Sequence, residues 1–318
     1  MFLKYTDKEG FVMNKADLIK EIQQLKQEKD AVILAHYYLE DDVQAVADYI
    51  GDSYYLSEIA TKVPQNVIVF CGVSFMGESA KILNPEKTVL LPDPASDCPM
   101  AHMASAENIQ RIREQYEDVA VVCYINSTAD IKQHTDVCVT SANAMKIVRN
   151  LPQKNIYFIP DQNLGRFIAK QVPEKNFIFN DGYCPVHVQI TGELVSKART
   201  EHPDALVLAH PECTPDVLEQ AVYIGSTSGI IKYVTDSPAQ QFIIATELGV
   251  LYQIRQNCPA KQCFAVIPEQ ICPDMRKITL EKVASVLQNF DNTVEMDTAL
   301  AQKAYAPLQK MLELARKD

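Results

Sequence analysis

Three of the nine cysteines recur at one position of a repeating pattern. Each comes after the last of several apolar runs, each is followed directly by proline, and the intervals between them are 86 and 88 residues. The three are Cys98, Cys184 and Cys272. Because proline favours a turn, each thiol is expected in a loop that leaves a strand end. Three thiolates gathered at one point suit a zinc ion with an open position, or a [4Fe-4S] cluster whose fourth iron has no protein ligand.

A second set of side chains recurs with the same spacing at the ends of buried apolar runs. The runs begin after Asp30, Asp118 and Asp204. Six residues after these aspartates stand His36, Tyr124 and His210, and eight residues after them stand Tyr38, Asn126 and Glu212. Histidine and carboxylate side chains are those most often used for proton transfer. The pattern therefore indicates acid–base chemistry at the strand ends.

Hydroxyl side chains occupy a third repeated position, 23 residues after the same aspartates. They are Ser53, Ser141 and Thr227. Each is expected at the N-cap of the following helix, where its hydroxyl and the free backbone N–H groups can bind a carboxylate or a phosphate. A capping role alone explains any one of them. Three in register, in a chain whose net charge is −11, favour a site for an anion.

The elements that must position these residues repeat as well. From each opening aspartate, beginning with a strand over 31–36 and a helix over 41–49, short apolar runs alternate with helical patterns, which is typical of parallel strands covered on both faces. We predict an α/β protein of three similar αβα sandwich domains with parallel sheets, in a pseudo-threefold arrangement around a central active site. The predicted domains are 1–117, with an N-terminal helix over 14–29, then 118–203, and 204–318, with a C-terminal helix over 297–317.

A pseudo-threefold arrangement would bring the three cysteines together although more than 80 residues separate them in the sequence. Ligands of open parallel sheets bind at the carboxyl ends of the strands, where the cysteine loops are expected. One thiolate from each domain reaches three corners of a cubane, whereas zinc would draw all three into one tetrahedron, so the cluster is favoured. Its free iron is expected to act as a Lewis acid on a substrate hydroxyl or carboxylate.

Composition and charge exclude some classes of partner. The net charge of −11 argues against nucleic acid or an anionic membrane as a partner, since both require clustered Lys and Arg. No signal peptide is recognisable and no apolar run approaches a membrane span, so a cytoplasmic location is expected. In a reducing compartment the other cysteines are expected to be packed thiols, although Cys258 and Cys263 could form a redox disulfide or offer substitute ligands.

Six segments together resemble the quinolinate synthase family (quinolinate synthase A), iron–sulfur enzymes of bacterial and archaeal NAD biosynthesis. They are AHYYLEDDVQAVADYIGDS, VIVFCGVSFMGESAKILNP, YINSTADIK, VTSANA, GYCPVH and AHPEC. The resemblance extends over roughly residues 30–290. It implies three α/β domains related by pseudo-threefold symmetry. It also implies a transferase-type reaction that condenses iminoaspartate with dihydroxyacetone phosphate to give quinolinate, phosphate and water.

The resemblance further implies a role for each repeated residue. Cys98, Cys184 and Cys272 would hold a [4Fe-4S] cluster whose fourth iron binds substrate. The iminoaspartate carboxylates would be held by His36, Ser53, Tyr124, Asn126, Ser141, His210, Glu212 and Thr227. The resemblance also suggests a functional link to an aspartate-oxidising enzyme that supplies the unstable imine.

A condensation with two dehydrations requires proton transfer. Glu212, His210 and Tyr38 are suitable for it in a site closed to bulk water. His187, three residues after Cys184, is expected to reach the phosphate or a leaving hydroxyl. Two other classes of protein stay open at this point. One is a zinc hydrolase with three cysteine ligands and Glu212 as general base, and the other is a binding module whose metal only joins the domains.

Overall fold

The computed structural model describes residues 14–316. Within this range the chain forms three four-stranded parallel sheets flanked by helices, which confirms the α/β fold class. Residues 1–13, where no signal peptide was recognised, and the final residue of the helix predicted over 297–317 lie outside the described residues. The domain boundaries after 117 and 203 stay predictions. No helix within 14–316 is long and apolar enough to cross a membrane.

The first unit runs from the N-terminal helix to the loop of Cys98. Its strands are β1 (Ala31–His36), β2 (Tyr49–Gly51), β3 (Val67–Cys71) and β4 (Thr88–Leu90), in the order β2-β1-β3-β4. Its helices are α1 (Lys15–Glu28), α2 (Asp41–Val46), α3 (Ser53–Ala60) and α4 (Ser74–Leu83), and a 3₁₀ turn at Pro99–His102 precedes α5 (Ala106–Gln115). All six residues of β1 are buried because helices cover both faces of this central strand.

The helix predicted over 41–49 is wrong at its end. It stops at Val46, and Tyr49–Gly51 forms the edge strand β2. The physical cause is Asp48, whose carboxylate accepts the backbone N–H of Ile33 at 2.8 Å and draws the chain against β1. This contact joins residues that are distant in sequence, so the local pattern gave no sign of it.

The second unit repeats the topology of the first. Its strands are β5 (Val119–Tyr124), β6 (Val137–Val139), β7 (Asn155–Ile159) and β8 (Asn176–Phe179), in the order β6-β5-β7-β8. Its helices are α6 (Ala129–Lys132), α7 (Ala144–Asn150), α8 (Gln162–Gln171), α9 (Pro185–Val188) and α10 (Gly192–Glu201). Asp136 matches Asp48 in function, because it accepts the backbone N–H of Val121 at 2.7 Å.

The third unit has the same strand order and carries the C-terminal helices. Its strands are β9 (Leu206–Ala209), β10 (Tyr223–Ile224), β11 (Gln241–Ala245) and β12 (Gln262–Ala265), in the order β10-β9-β11-β12. Its helices are α11 (Pro215–Leu218), α12 (Thr227–Asp236) and α13 (Val250–Asn257), and a 3₁₀ turn at Met275–Lys277 precedes α14 (Leu280–Asn289) and α15 (Thr298–Arg316). The expected terminal helices are therefore α1 and α15.

Each unit ends in a helix that packs on the next unit. α5 lies on β5, α10 lies on α11 and β11, and α14 returns to α1, α2 and β3 of the first unit. Polar contacts mark two of these crossings. Arg113 of α5 donates to Asp136 at 2.9 Å, and the Gly192 N–H at the start of α10 donates to Asp216 at 2.6 Å. Three crossings in the same sense close a ring, so the three sheets are held around a common centre.

The apolar cores are distributed unevenly around this ring. The first and second units share one continuous core, and α15 packs across their junction on α4, α6, α7 and β6. The third sheet instead has a separate apolar cluster on each face. Ile190, Val195 and Ala198, from the end of the second unit, belong to one of these clusters. The closing helix thus contributes directly to the core of the unit it covers.

Gly249 lies where the third unit meets the first. A Cβ added to Gly249 would lie 2.4 Å from the backbone oxygen of Tyr37 and 2.7 Å from the Cα of Tyr38. The Gln44 side chain of α2 spans the same junction and donates to the backbone oxygens of Gly249 and Tyr37, both at 3.0 Å. Only a residue without a Cβ permits this approach of two backbones.

Gly249→Ala is therefore expected to destabilise the protein by about 1–3 kcal/mol, the usual cost of overpacking against atoms that cannot move aside. Urea unfolding of the variant measures this loss. Gly77→Ala is the matched control, because the three atoms nearest to its added Cβ all belong to the Leu91 side chain. A flexible side chain can shift, so a smaller loss is expected for the control. Equal losses in the two variants would contradict the steric interpretation.

Candidate active site

The carboxyl ends of the three sheets open onto one cavity of about 870 Å³. All thirteen residues singled out from the sequence line it. They are His36, Tyr38, Ser53, Cys98, Tyr124, Asn126, Ser141, Cys184, His187, His210, Glu212, Thr227 and Cys272. Each unit contributes the end of its first strand, the start of a following helix or turn, and its cysteine loop. The cavity therefore has the pseudo-threefold pattern of the sequence repeat.

The three cysteines lie in loops between the fourth strand of each unit and a short helical turn. All three are free and partly accessible. Burial raises the pKa of each thiol, that of Cys272 to about 11. Proximity to Cys272 raises the pKa of Cys98 further, and proximity to Cys98 raises that of Cys184. Three soft sulfur donors on one cavity, from loops of three units, are the ligand type of an iron–sulfur cluster. Since the thiols are protonated when free, metal binding would release protons.

Glu212 is the ionised centre of the cavity, although only 3% of its surface is exposed. The Tyr124 hydroxyl donates to Oε1 at 2.5 Å, and His187 Nδ1 lies 2.9 Å from Oε2. Burial alone raises the pKa of Glu212. The electrostatic influence of the nearby His187 and His210 rings, with hydrogen bonds from His187 and Tyr124, outweighs that effect and lowers the pKa to about 2. Glu212 is therefore a carboxylate at neutral pH.

The two histidines at equivalent strand ends have the same tautomer. His36 Nδ1 accepts the backbone N–H of Tyr38 at 3.2 Å, and His210 Nδ1 accepts that of Glu212 at 3.4 Å. Burial lowers the pKa of His36 to about 4 and of His210 to about 3, against a smaller opposing effect of Glu212. A neutral ring that accepts at Nδ1 carries its proton on Nε2. Both rings therefore offer an N–H donor, and His210 directs its donor at Ser141 Oγ, 3.2 Å away.

The Tyr38 hydroxyl joins the first unit to the third. It lies 3.1 Å from Thr227 Oγ1 and 3.3 Å from Thr246 Oγ1. Burial raises the pKa of Tyr38 well above its usual value, and Glu212 raises it further, so the hydroxyl is protonated. Thr246 Oγ1 is also 2.9 Å from His187 Nε2. A continuous chain of polar contacts thus runs from Tyr38 through Thr246 and His187 to Glu212.

The N-cap positions expected for the three hydroxyl residues are wrong. α3 and α12 are capped one residue earlier, by Asp52 and Ser226, whose side chains accept N–H groups of the first turn. Ser53 and Thr227 are the first residues of these helices, and Ser141 lies two residues before the N-cap of α7. None of the three hydroxyls is used for capping. Those of Thr227 and Ser141 contact Tyr38 and His210 instead, and Ser53 lies beside the first N–H groups of α3, where a ligand can bind.

Among residues 14–316, two that line the cavity carry a buried oxygen atom without a hydrogen-bond partner, Asn126 Oδ1 and Thr140 Oγ1. An unsatisfied buried polar group costs about 1–3 kcal/mol, so a ligand that supplies the missing partners would bind here. Thr140 and Glu247 also line the cavity and were not predicted from the sequence. A signal existed for Glu247. It stands 43 residues after its opening aspartate, as Asp161 does in the second unit.

A second donor group overlaps the three-cysteine site. Ligand atoms of Cys184, His187 and Glu212 all lie within 4.8 Å of one another, and His187 Nδ1 is 3.1 Å from Cys184 Sγ. This group differs from the hydrolase alternative, because it makes Glu212 a ligand and leaves Cys98 and Cys272 outside. The remaining cysteines stay away from the cavity wall. Cys258 and Cys263 are free and partly exposed, and Cys71, Cys123, Cys138 and Cys213 are fully buried.

Known proteins resemble this chain over almost its full length. The model of the family described as quinolinate synthetase A protein matches residues 20–313. A quinolinate synthase of Clostridioides difficile is 49% identical over 299 residues, which cover 94% of this chain and 98% of the relative. Proteins of the same name from Fusobacterium nucleatum and Caldicellulosiruptor saccharolyticus are 51% and 48% identical, over 92% and 93% of this chain and 98% of each relative.

The fold and the cavity define an α/β enzyme whose site is built by three parallel-sheet units around one centre. Within that class, the chain belongs to the quinolinate synthase family. The resemblance seen in the six sequence segments is thereby confirmed.

Acid is expected to destabilise the fold through the cavity histidines. His36 and His210 have folded-state pKa values of about 4 and 3, below the unfolded value of 6.5, so the unfolded chain binds more protons below pH 6.5. Stability should fall by up to about 1.4 kcal/mol per pH unit for each histidine. Glu212 adds to the loss below pH 4.5, because folding lowers its pKa too.

Urea unfolding between pH 7.5 and pH 5 measures this dependence on the buried histidines. His210→Gln should reduce the slope of stability against pH, since one of the buried groups is removed. His134→Gln, at an exposed position, should leave the slope as in the unmodified protein. A stability that stays constant or rises on acidification would contradict the neutral state of the cavity histidines.

Proposed function

We propose that this protein condenses iminoaspartate with dihydroxyacetone phosphate to form quinolinate, with loss of phosphate and two water molecules, as a step of NAD biosynthesis. The observation that carries the proposal is the composition of one cavity. Three free thiols, two neutral histidines and the ionised Glu212 line it together. The family of the chain supports the same reaction. The unstable imine would come from an enzyme that oxidises aspartate.

Cys98, Cys184 and Cys272 would hold a [4Fe-4S] cluster, one thiolate from each unit. Three thiols without a fourth cysteine on the cavity wall are the donor set of a cluster with one iron free of protein ligand. When bound, such a cluster would supply a Lewis acid to a hydroxyl or carboxylate of the substrate. The protein's part is to present the three sulfurs at one place and to exclude bulk water.

The substrate carboxylates would be bound by neutral donors. His36 and His210 offer N–H groups at Nε2, and Ser53 and Thr227 place hydroxyls beside the first N–H groups of α3 and α12. The helix dipoles favour an anion at these two ends. Tyr124, Asn126 and Ser141 complete the neutral set, and Glu212, the remaining residue assigned to substrate binding, is an ionised acceptor. Donors without net charge suit a dicarboxylate in a cavity that already contains one carboxylate.

Proton transfer would pass through the chain of contacts around Glu212. The carboxylate accepts a proton, and the protonated Tyr38 hydroxyl is the matching donor at the other end of the chain. His187 lies between them and is placed to serve a leaving hydroxyl or the phosphate. His210 stacks on His187 with ring centres 4.8 Å apart and keeps that ring in place. These four residues are our catalytic assignment.

A zinc hydrolase is the second candidate, and one observation favours a bound zinc ion, although with a donor set other than the three cysteines expected from the sequence. The close group of Cys184, His187 and Glu212 is a donor set that zinc accepts. In that arrangement Glu212 is a ligand and is lost as a general base. The identity of the bound metal separates the two functions.

Anaerobically purified protein is expected to be brown and to contain about four irons per chain. Cys98→Ala, Cys184→Ala and Cys272→Ala should each lose most of the iron and all quinolinate formation, because every thiolate holds a different corner. Cys263→Ala is the control, since its partly exposed thiol is away from the cavity, and it should retain both. Colourless wild-type protein with one zinc per chain would contradict the proposed function and support the hydrolase.

Glu212→Gln and Tyr38→Phe are each expected to lower quinolinate formation by about 10²–10⁴-fold, the usual contribution of general acid–base catalysis. Iron content should stay at the wild-type value, because neither residue is a ligand in this proposal. Glu219→Gln, an exposed carboxylate in the same unit, is the control for the first substitution. Unchanged turnover in both variants with normal metal content would instead indicate a binding module whose metal only joins the units.

A further inference from the structure

The backbone amides of two of the three candidate cysteines donate to carboxyl groups. The Cys98 N–H donates to Asp97 Oδ1 at 2.7 Å, and the Cys272 N–H donates to Glu247 Oε1 at 3.2 Å. In the second unit the buried Asp161 lies beside the loop of Cys184. Nothing in the reaction assigned above uses these carboxylates.

The sequence repeat relates these carboxylates to one another. Asp161 and Glu247 both stand 43 residues after the aspartate that opens their unit, just beyond the third strand. The first unit has Val73 at this position and therefore lacks the carboxylate there. Asp97 replaces it from the cysteine loop, and Ser74, the neighbour of Val73, donates to Asp97 Oδ1 at 2.7 Å. A carboxyl group thus lies near the cysteine loop in each unit, although in the first unit it comes from a different position of the sequence.

Glu247 shows how strongly such a group is held. It is fully buried, and its Oε2 accepts the backbone N–H of Gly249 at 2.6 Å. Its Oε1 accepts from Arg276 Nη2 at 3.1 Å as well as from the Cys272 N–H. Arg276 also pairs with Glu40 of the first unit at 3.0 Å. The Cys272 loop is therefore tied through one carboxylate to its own sheet and to the neighbouring unit.

Asp161, the equivalent residue of the second unit, lies beside the loop of Cys184 but has a different set of contacts. The side chain is fully buried, and Oδ1 accepts the Leu164 N–H at 2.7 Å as the cap of α8. Oδ2 has no hydrogen-bond partner. Asp161 also forms an isolated bridge to Gly182, two residues before the cysteine. A buried acceptor with a free oxygen thus lies beside the Cys184 loop.

We propose that Asp97 and Glu247 are positioning residues, which orient the loops of Cys98 and Cys272 by accepting the backbone N–H groups of these two cysteines. The inference rests on the cluster assigned under the proposed function. Groups that contact metal ligands fix the ligand geometry. Hydrogen bonds to the sulfurs also set cluster reduction potentials. Because the carboxylates accept these backbone N–H groups, the N–H groups do not donate to the cysteine sulfurs, and the reduction potential of the cluster stays low.

Asp97 provides the sharpest test, because it is partly exposed and substitution there should not unfold the protein. Asp97→Ala removes the acceptor, so iron should be lost to a chelator at least fivefold faster under anaerobic conditions. The reduction equilibrium should shift at least tenfold toward the reduced cluster, which is about 59 mV for one electron. Asp97→Asn retains an acceptor oxygen for the Cys98 N–H and should stay within twofold of wild type in both measurements.

Glu247→Gln tests the same inference at a buried site. Glutamine has one acceptor oxygen, so it can accept the Gly249 N–H or the donors of Cys272 and Arg276, but not both. Faster iron loss and a shift toward the reduced cluster are therefore expected, as for Asp97→Ala. Glu269→Gln is the matched control, because it is an exposed glutamate in the same loop. Circular dichroism reports whether Glu247→Gln folds. If Glu247→Gln does not fold, the comparison of Asp97→Ala with Asp97→Asn tests the inference alone.

The outcomes separate the two proposals. Wild-type protein that binds no iron–sulfur cluster contradicts the proposed function itself. Wild-type protein with a cluster, and wild-type iron release and potential in Asp97→Ala, overturns the positioning inference and leaves the function intact. Equal defects in Asp97→Ala and Asp97→Asn also overturn it, since charge and not the accepted N–H would then be responsible.

Discussion

The closing of the ring by α5, α10 and α14 is the constraint on which the site depends. Each of these helices leaves its cysteine loop and packs on the next sheet, so no unit can turn away from the centre without exposing an apolar face. The loops that precede the helices carry the thiols, and they are drawn inward by the same packing. The active site is thus a consequence of how the units cover one another. Gly249, at the junction of the third and first units, shows how closely the backbones must approach.

The electrostatic state of the cavity follows from this burial. Charged groups inside a protein persist only when they have partners, and Glu212 has them in Tyr124 and His187. The surrounding groups are instead kept neutral. His36 and His210 lose their protons, while Tyr38 and Tyr124 keep theirs, because burial disfavours the charged form in each case. One carboxylate among neutral donors is an arrangement that can both bind an anion and take up a proton.

The repeat explains why so much of the site was visible in the sequence. The repeated offsets led to twelve residues that meet in the cavity, although they missed Thr140 and Glu247, since equivalent residues of equivalent units face the same centre. What escaped prediction depends on contacts between distant parts of the chain. Examples are the bond from Ile33 to Asp48 that converts a helix end into β2, and Thr246, which meets Tyr38 only after the units have closed. The caps at Asp52 and Ser226 were misassigned for a simpler reason, because adjacent polar residues are equally good caps by type.

The central claim is that sulfur atoms from three units bind one iron–sulfur cluster with an iron left open to substrate. Mössbauer spectroscopy of protein loaded with ⁵⁷Fe tests it most directly. The account predicts one iron site that differs from the other three. The Mössbauer parameters of this site should change when a dicarboxylate is added, and those of the other three should not. Four irons whose parameters are equivalent and do not change on addition of the dicarboxylate would contradict it, as would a protein that binds no iron.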